Sequence, residues 1–167
     1  MELRPSSLTA IVRTQIALRA LRAKINLLFF ERKYIKMSKH PELIVMLTHN
    51  DRTVENAYEI FDTCKDTKAK YWGFKEVGIP LDEMKKLCSY MKACGKTTFL
   101  EVVAYTEEEC LAGAKMAVEC GFDCLMGTIF FDSILDYCKQ HDLRYMPFVG
   151  KITGRPSVLE GTIDGMI

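Results

Sequence analysis

No apolar run in this sequence approaches the roughly 20 residues that cross a bilayer. The longest, Ile25 to Phe30, contains Asn26 and is bounded by Lys24 and Glu31, so no membrane-spanning helix is expected. Ten glycines and five prolines are too few for a collagen-like or low-complexity chain, and 49% hydrophobic residues suffice for one core of domain size. Histidine is scarce, at three, and the seven cysteines (Cys64, Cys88, Cys94, Cys110, Cys120, Cys124, Cys138) are odd in number with no C-x-x-C pair. A disulfide scaffold and a zinc module both fit this poorly, because Cys120-x-x-x-Cys124 would still need two distant ligands. Most of the thiols fall at apolar helical positions, where cysteine acts as a small hydrophobe, so reduced thiols and a cytoplasmic setting are expected. Neither G-x-G-x-x-G nor G-x-x-x-x-G-K-[ST] occurs, which removes the dinucleotide and P-loop fingerprints.

The chain also lacks net charge, at +1, but this near-neutrality is a sum of opposites. Residues 1–36 hold eight basic and two acidic residues, whereas residues 37–167 hold 15 basic and 20 acidic. The shift coincides with Met37-Ser38-Lys39-His40-Pro41, which reads as a translation start. Residues 1–36 are therefore expected to be an extension outside the core domain, with a basic amphipathic helix (Leu8, Ile11, Val12, Ile16) or an Arg-rich targeting peptide as alternatives. A basic helix without a docking context is a weak nucleic-acid signal, and no nucleic-acid partner is expected.

From residue 42 one pattern repeats. Glu42 to Thr48 is a β-rich run, followed by Thr53 as a helix N-cap and Val54, Ala57, Tyr58, Phe61 at helical spacing. A second unit runs from Lys70–Lys75 through Leu81, Met84, Leu87, Cys88 and Met91 to Gly95, a residue suited to the left-handed end of a helix. The third pairs strand Thr97–Val103 with a helix from the capping box Thr106-x-x-Glu109 to Gly121. The fourth takes Phe122–Ile129 as strand and Ser133–Gln140 as helix. The fifth takes Leu143–Val149 as strand, crosses Gly150–Pro156, and opens a helix at the box Ser157-x-x-Glu160.

Strand and helix alternating in this rhythm predict α/β architecture with a buried parallel sheet. Two arrangements fit residues 37–167: five of the eight units of a TIM barrel, or a complete five-stranded doubly wound sheet of the flavodoxin type. The final helix pattern stops after barely two turns without a C-cap, which favours a chain cut after the fifth barrel unit. A partial barrel would carry an exposed apolar edge at that unit, leaving homo-oligomer formation open.

Met46-Leu-Thr-His-Asn-Asp51, Tyr71-Trp-Gly-Phe-Lys-Glu-Val-Gly78, Phe99-Leu-Glu-Val-Val103 and Phe148-Val-Gly-Lys151 resemble a group of bacterial (β/α)8 proteins allied to the ribulose-phosphate-binding barrels. That superfamily includes N-acylmannosamine-6-phosphate epimerases, keto-acid phosphate aldolases and phosphoribosyl isomerases. The resemblance covers about residues 38 to 167. It implies a phosphorylated small-molecule substrate, whose phosphate such barrels hold on Gly-rich loops after the seventh and eighth strands, beyond the five units present here.

In such barrels the reacting groups stand at the C-terminal ends of the strands. This rule selects His49, Asn50 and Asp51 at the first strand, Lys75 and Glu76 at the second, Glu101 at the third, Thr128 at the fourth, and Lys151 and Arg155 at the fifth. Lys75 follows an apolar run, and desolvation favours the neutral amine of a lysine, suiting it to proton transfer or a Schiff base. Glu101, set between Leu100 and Val102, is placed to pair with it or to remove a proton next to a carbonyl. His49 suits proton transfer near neutrality, although a polar residue after a strand is as often a turn, and Asp51 as often a helix cap. Asn50, Lys151 and Arg155 are candidate substrate-binding groups, the last two on a loop whose Gly150 and Gly154 can present N–H groups to an anion. The constellation calls for no metal and no cofactor. The expectation is an epimerase, isomerase or aldolase working by enolisation, with a non-catalytic nucleotide- or partner-binding domain, or an inactive fragment, as alternatives.

Overall fold

The computed structural model describes residues 41–154 and 157–165; the N-terminal extension of residues 1–36, the start at Met37 and Arg155 lie outside them. Five strands, β1 (Ile44–Met46), β4 (Tyr71–Lys75), β5 (Thr97–Ala104), β6 (Cys124–Thr128) and β7 (Arg144–Met146), form one sheet in the order β1-β4-β5-β6-β7. Every neighbouring pair is parallel. Four helices connect or flank them: α1 (Ala57–Cys64), α2 (Leu81–Ala93), α3 (Glu107–Cys120) and α4 (Asp132–Gln140). The alternating α/β pattern and the parallel sheet are therefore present.

Alternation along each strand decides which face meets the helices. On β4, Trp72 and Phe74 turn toward them, Trp72 edge-on to Phe61 of α1 at 5.1 Å and Phe74 against Phe122 at 5.0 Å. Both rings, with Phe61, Met84, Leu87, Met91, Leu100, Leu125 and Ile134, are buried in one core. Each large side chain of this kind stabilises the fold by about 1.5–3 kcal/mol relative to exposure. Tyr71, Gly73 and Lys75 take the opposite face, where Tyr71 meets Phe99 of β5 edge-on at 5.8 Å. Consecutive helices touch one another, α1 with α2, α2 with α3 and α3 with α4.

Local signals act where the sequence places them. The Thr106 hydroxyl accepts from the Glu109 N–H at 3.3 Å while the Glu109 carboxylate accepts from the Thr106 N–H, completing the capping box of α3. Gly121 closes that helix with φ 78°.

Two expectations fail. Between β1 and α1 the chain makes a small antiparallel hairpin, β2 (Thr48–His49) and β3 (Arg52–Thr53), instead of passing directly into a helix at Thr53. Its two-residue connection, Asn50 and Asp51, has φ 48° and 61°. Positive φ at both central positions is the type I′ geometry that matches strand twist and that Asn and Asp tolerate. Helix α1 consequently starts later, at Ala57, with Asn56 before it and no side-chain cap.

The helix expected from Ser157 is likewise absent. β8 (Lys151–Thr153) and β9 (Val158–Glu160) form a second antiparallel hairpin, followed by a 3-10 turn over Ile163–Gly165. The β-favouring Ile152, Thr153 and Val158 prevail over the cap signal. Ser157 Oγ lies 2.6 Å from the Tyr105 hydroxyl, and Glu160 pairs with Lys151 at 3.1 Å, so neither partner of the supposed capping box is used as one. The unfinished helix behind the expectation of a cut chain is thus not formed.

Candidate functional site

The charged residues gather where β4 ends; Glu101, expected at the end of its strand, lies instead three residues before the end of β5, because that strand runs on to Ala104. Lys75 is the last residue of β4 and stands in register with Glu101 of β5 on the same face of the sheet. Its side chain is only 3% exposed, yet its Nζ carries a full set of three donors. One donor goes to Asp51 Oδ1 at 2.6 Å. Glu101 Oε1 stands 4.0 Å away, near enough for attraction but outside hydrogen-bond range. A buried ammonium with two spare donors faces two carboxylates of contrasting exposure, since Asp51 is 81% exposed and Glu101 26%.

Asp51 reaches Lys75 because the hairpin is locked onto the strand ends. The Thr53 N–H donates to Val77 O at 2.8 Å and the Val54 N–H to Leu47 O at 3.1 Å, closing the excursion at its base. The buried Thr53 hydroxyl donates to Lys75 O at 2.8 Å and accepts from the Lys75 N–H at 2.9 Å. Residue 53 therefore splices the hairpin to the backbone of the lysine it serves. Gly78 makes room for this contact: at φ 118° it holds a conformation open to glycine, and a Cβ there would stand 2.2 Å from Thr53 O.

Glu101 is seated by a second close approach, since a Cβ on Gly127 would lie 3.1 Å from Glu101 Cγ. Beyond Glu101 the β5–β6 pairing changes register before Ala104. Glu76 follows at this break. Its N–H donates to Glu101 O at 3.2 Å, extending the β4–β5 ladder by one residue. Burial pushes its carboxyl above the ordinary glutamate value, against the lowering effects of its own N–H, the Lys75 ammonium and the Val103 N–H. Its Oε2 is buried without a hydrogen-bond partner.

The other candidate positions are more dispersed. His49 pairs with Arg52 across the hairpin and is exposed, and Asn50 occupies the turn beside Asp51. Thr128 is fully buried, donating at 2.9 Å to the Tyr145 hydroxyl, which in turn donates to Ile129 O, so its hydroxyl latches β6 to β7. Lys151 is exposed and tied to Glu160. The C-terminal hairpin leans on the residue that follows β5, Tyr105, whose hydroxyl donates to Gly154 O at 3.0 Å.

Sequence reasoning offered Asp51 as a strand-end residue or a helix cap and did not anticipate its pairing with Lys75. The Asn50-Asp51 pair between short β-prone runs was the available signal for the turn that delivers it. Among the described residues no cluster of three or more His, Cys, Asp or Glu side chains is arranged to hold a metal ion. All seven cysteines are free thiols. No described helix is long and apolar enough to cross a membrane. A cavity of about 230 Å³ between α1 and α2, lined by Glu55, Tyr58, Ile79, Glu83, Lys86 and Leu87, includes none of the strand-end charges. No protein-family model matches the chain, and no curated protein matches it.

Proposed function

We propose that the strand-end cluster enolises a small phosphorylated carbonyl compound, in an epimerase or isomerase reaction with aldol cleavage as a variant. The observation that carries this reading is the Lys75 ammonium, 3% exposed, bonded to one partner and within 4.0 Å of Glu101. Its spare donors suit a carbonyl oxygen that becomes an enolate oxygen, and donors held in a dry site stabilise developing charge far better than water does. Glu101 is then the base that takes the proton from the adjacent carbon. Asp51 holds the ammonium toward the rim, and Asn50 and His49 stand on the same hairpin to meet the substrate.

The short Lys75–Asp51 contact favours proton transfer and electrostatic stabilisation over a Schiff base, which needs the amine released from its carboxylate. The consecutive strand order supports winding of the barrel kind, because a flavodoxin-type sheet runs 2-1-3-4-5. Contacts between each helix and the next support the same winding. On this reading β7 is an internal barrel strand whose neighbour is not among the described residues, and Phe130, Met146 and Val149, each more than 40% exposed, mark a surface for self-association. On this reading the phosphate binds at the C-terminal hairpin, where Lys151 of β8 must leave Glu160 to receive it. The cavity between α1 and α2 is the one observation favouring a non-catalytic binding domain instead.

The test is solvent exchange. The full chain is incubated in D2O with dihydroxyacetone phosphate, D-ribulose 5-phosphate, D-xylulose 5-phosphate and D-fructose 6-phosphate, and proton NMR follows the signal next to the carbonyl. Loss of that signal with the native protein and its retention with Glu101→Gln is the expected result. Retention of every signal with the native protein refutes the enolisation reading.

A further inference from the structure

We infer that the cavity between α1 and α2 is a binding site for a small organic cation, an amine carried on an aromatic or otherwise apolar body. The inference is independent of the enolisation reading, because the cavity shares no residue with the strand-end charges.

Size and lining set the class of ligand. The cavity holds about 230 Å³, the share of roughly eight water molecules at about 30 Å³ each. Sites for drug-sized ligands run from about 300 to 1,000 Å³, so this one suits a single-ring molecule and is too small for a nucleotide. Its floor is apolar, made by the buried Ala57 and Leu87 and by Ile79, which packs against the core. Tyr58, half exposed, forms one wall. Its ring is held in place, stacked on Tyr90 at 4.9 Å with 15° between the planes, and Tyr90 stands edge-on to Phe61 at 5.4 Å. The wall is thus built before a ligand arrives, and a fixed aromatic plate spares the ordering cost of binding.

Charge at the mouth selects the sign. Glu55, just before α1, and Glu83, in the first turn of α2, both line the cavity and are exposed. Among the described residues neither carboxylate takes part in an ion pair, while the lysine of the lining, Lys86, stands 3.7 Å from Asp82 on its own helix. A negative rim around an apolar floor repels carboxylates and phosphates and leaves a neutral solute without a polar partner. An ammonium on an apolar body satisfies both parts, its charge meeting the carboxylates at the rim and its body entering the cavity. The aromatic wall favours the same sign, since a ring face attracts cations. The stacked pair already receives one: Lys65 Nζ lies 5.6 Å from the Tyr90 ring centroid and 2.9 Å from its hydroxyl.

The experiment uses phenethylamine, 2-phenylethanol and 3-phenylpropionate, which share one ring and differ chiefly in the charge of the head group. Each is titrated into the full chain, and proton–nitrogen correlation NMR follows the amides of Tyr58, Ile79 and Leu87. The amine is expected to shift these amides saturably below about 20 mM, with the alcohol at least about 5-fold weaker and the carboxylate weaker still. Glu55→Gln and Glu83→Gln are each expected to weaken the amine about 2- to 5-fold, the worth of an exposed ion pair, and to leave the alcohol unchanged. Both positions are exposed, so the variants keep the fold, which circular dichroism checks. Absence of saturable shifts from the amine overturns the inference. An alcohol or a carboxylate that binds as tightly as the amine does so too, because the cavity would then be an apolar hole without selection of charge. Amine affinity that survives intact when both glutamates are replaced removes the rim from the site and overturns it as well. Movement of the same amides on raising the protein concentration without ligand would make the groove a contact between copies of this chain instead. None of these outcomes bears on deuterium exchange at the strand ends, so the two readings fail separately.

Discussion

Replacing Lys75 with methionine removes a buried charge and keeps most of its volume, which turns the position into a test of why a lysine is there. Holding an ammonium 97% out of water costs several kcal/mol. The return is one bond to Asp51 at 2.6 Å and a weaker attraction to Glu101 at 4.0 Å. Asp51 is 81% exposed, so its attraction is screened by water, and a pair at such distances is worth about 1–4 kcal/mol between the limits of bulk water and a partly buried surface. The two sides nearly cancel. The carboxylates left behind retain solvent, Asp51 almost fully, so neither becomes an orphaned buried charge. Lys75→Met is therefore expected to leave stability unchanged or to raise it by up to about 2 kcal/mol. Urea denaturation reads this as an equal or higher midpoint with an unchanged slope. A loss of more than about 2 kcal/mol refutes the reasoning, because Lys75 would then be a structural ion pair whose absence the fold cannot absorb.

Gly78→Ala should cost about 1–3 kcal/mol from the backbone strain of φ 118° and the 2.2 Å approach to Thr53 O, and should displace the hairpin that carries Asp51; a lowered urea midpoint together with reduced deuterium uptake checks it. Glu76 has a folded-state pKa above its unfolded value of about 4.5, so the native state binds the proton more tightly and stability falls as pH rises from that value through the folded pKa. Glu76→Gln should accordingly be more stable than the native protein at pH 7, with the gap closing below pH 4.5, as urea midpoints between pH 4 and pH 8 will show. Burial pushes the Cys88 and Cys138 thiols up to about 11 and Cys124 up to about 12, whereas Cys64 and Cys94 are only half-buried. Ellman's reagent at pH 8 should therefore modify Cys64 and Cys94 first, and all seven thiols only in urea.

Elements whose signals are local and periodic are legible in the sequence. The core faces of α2 and α3, the capping box at Thr106 and the strand over residues 71–75 all follow from spacing and end signals. The pairing of Lys75 with Glu101 was likewise accessible, since both follow apolar strand residues and parallel strands align their C-terminal ends. The hairpins were not. A two-residue turn such as Asn50-Asp51 leaves too little sequence for periodicity to speak, and what fixes it is the bonding of Thr53 to the backbone of Lys75, 22 residues away. The same tertiary contact draws Asp51 to the lysine, which no helix-cap reading could anticipate. At the C-terminal end, Ser157-x-x-Glu160 satisfies a capping-box pattern by residue type, but the β-favouring residues on either side of Gly154 pair first. Glu76 stands at the strand end by sequence; its desolvation and its orphaned oxygen arise from packing against β5 at the register break.

The most direct test of the central claim combines the two properties of Lys75. Deuterium uptake next to the carbonyl of D-ribulose 5-phosphate is measured for native protein and for Lys75→Met whose urea midpoint is already known. The account predicts a variant at least as stable as the native protein, with uptake reduced by about 100-fold or more through loss of the donors that stabilise the enolate. Native uptake that survives in Lys75→Met would contradict it, placing the buried lysine outside the chemistry.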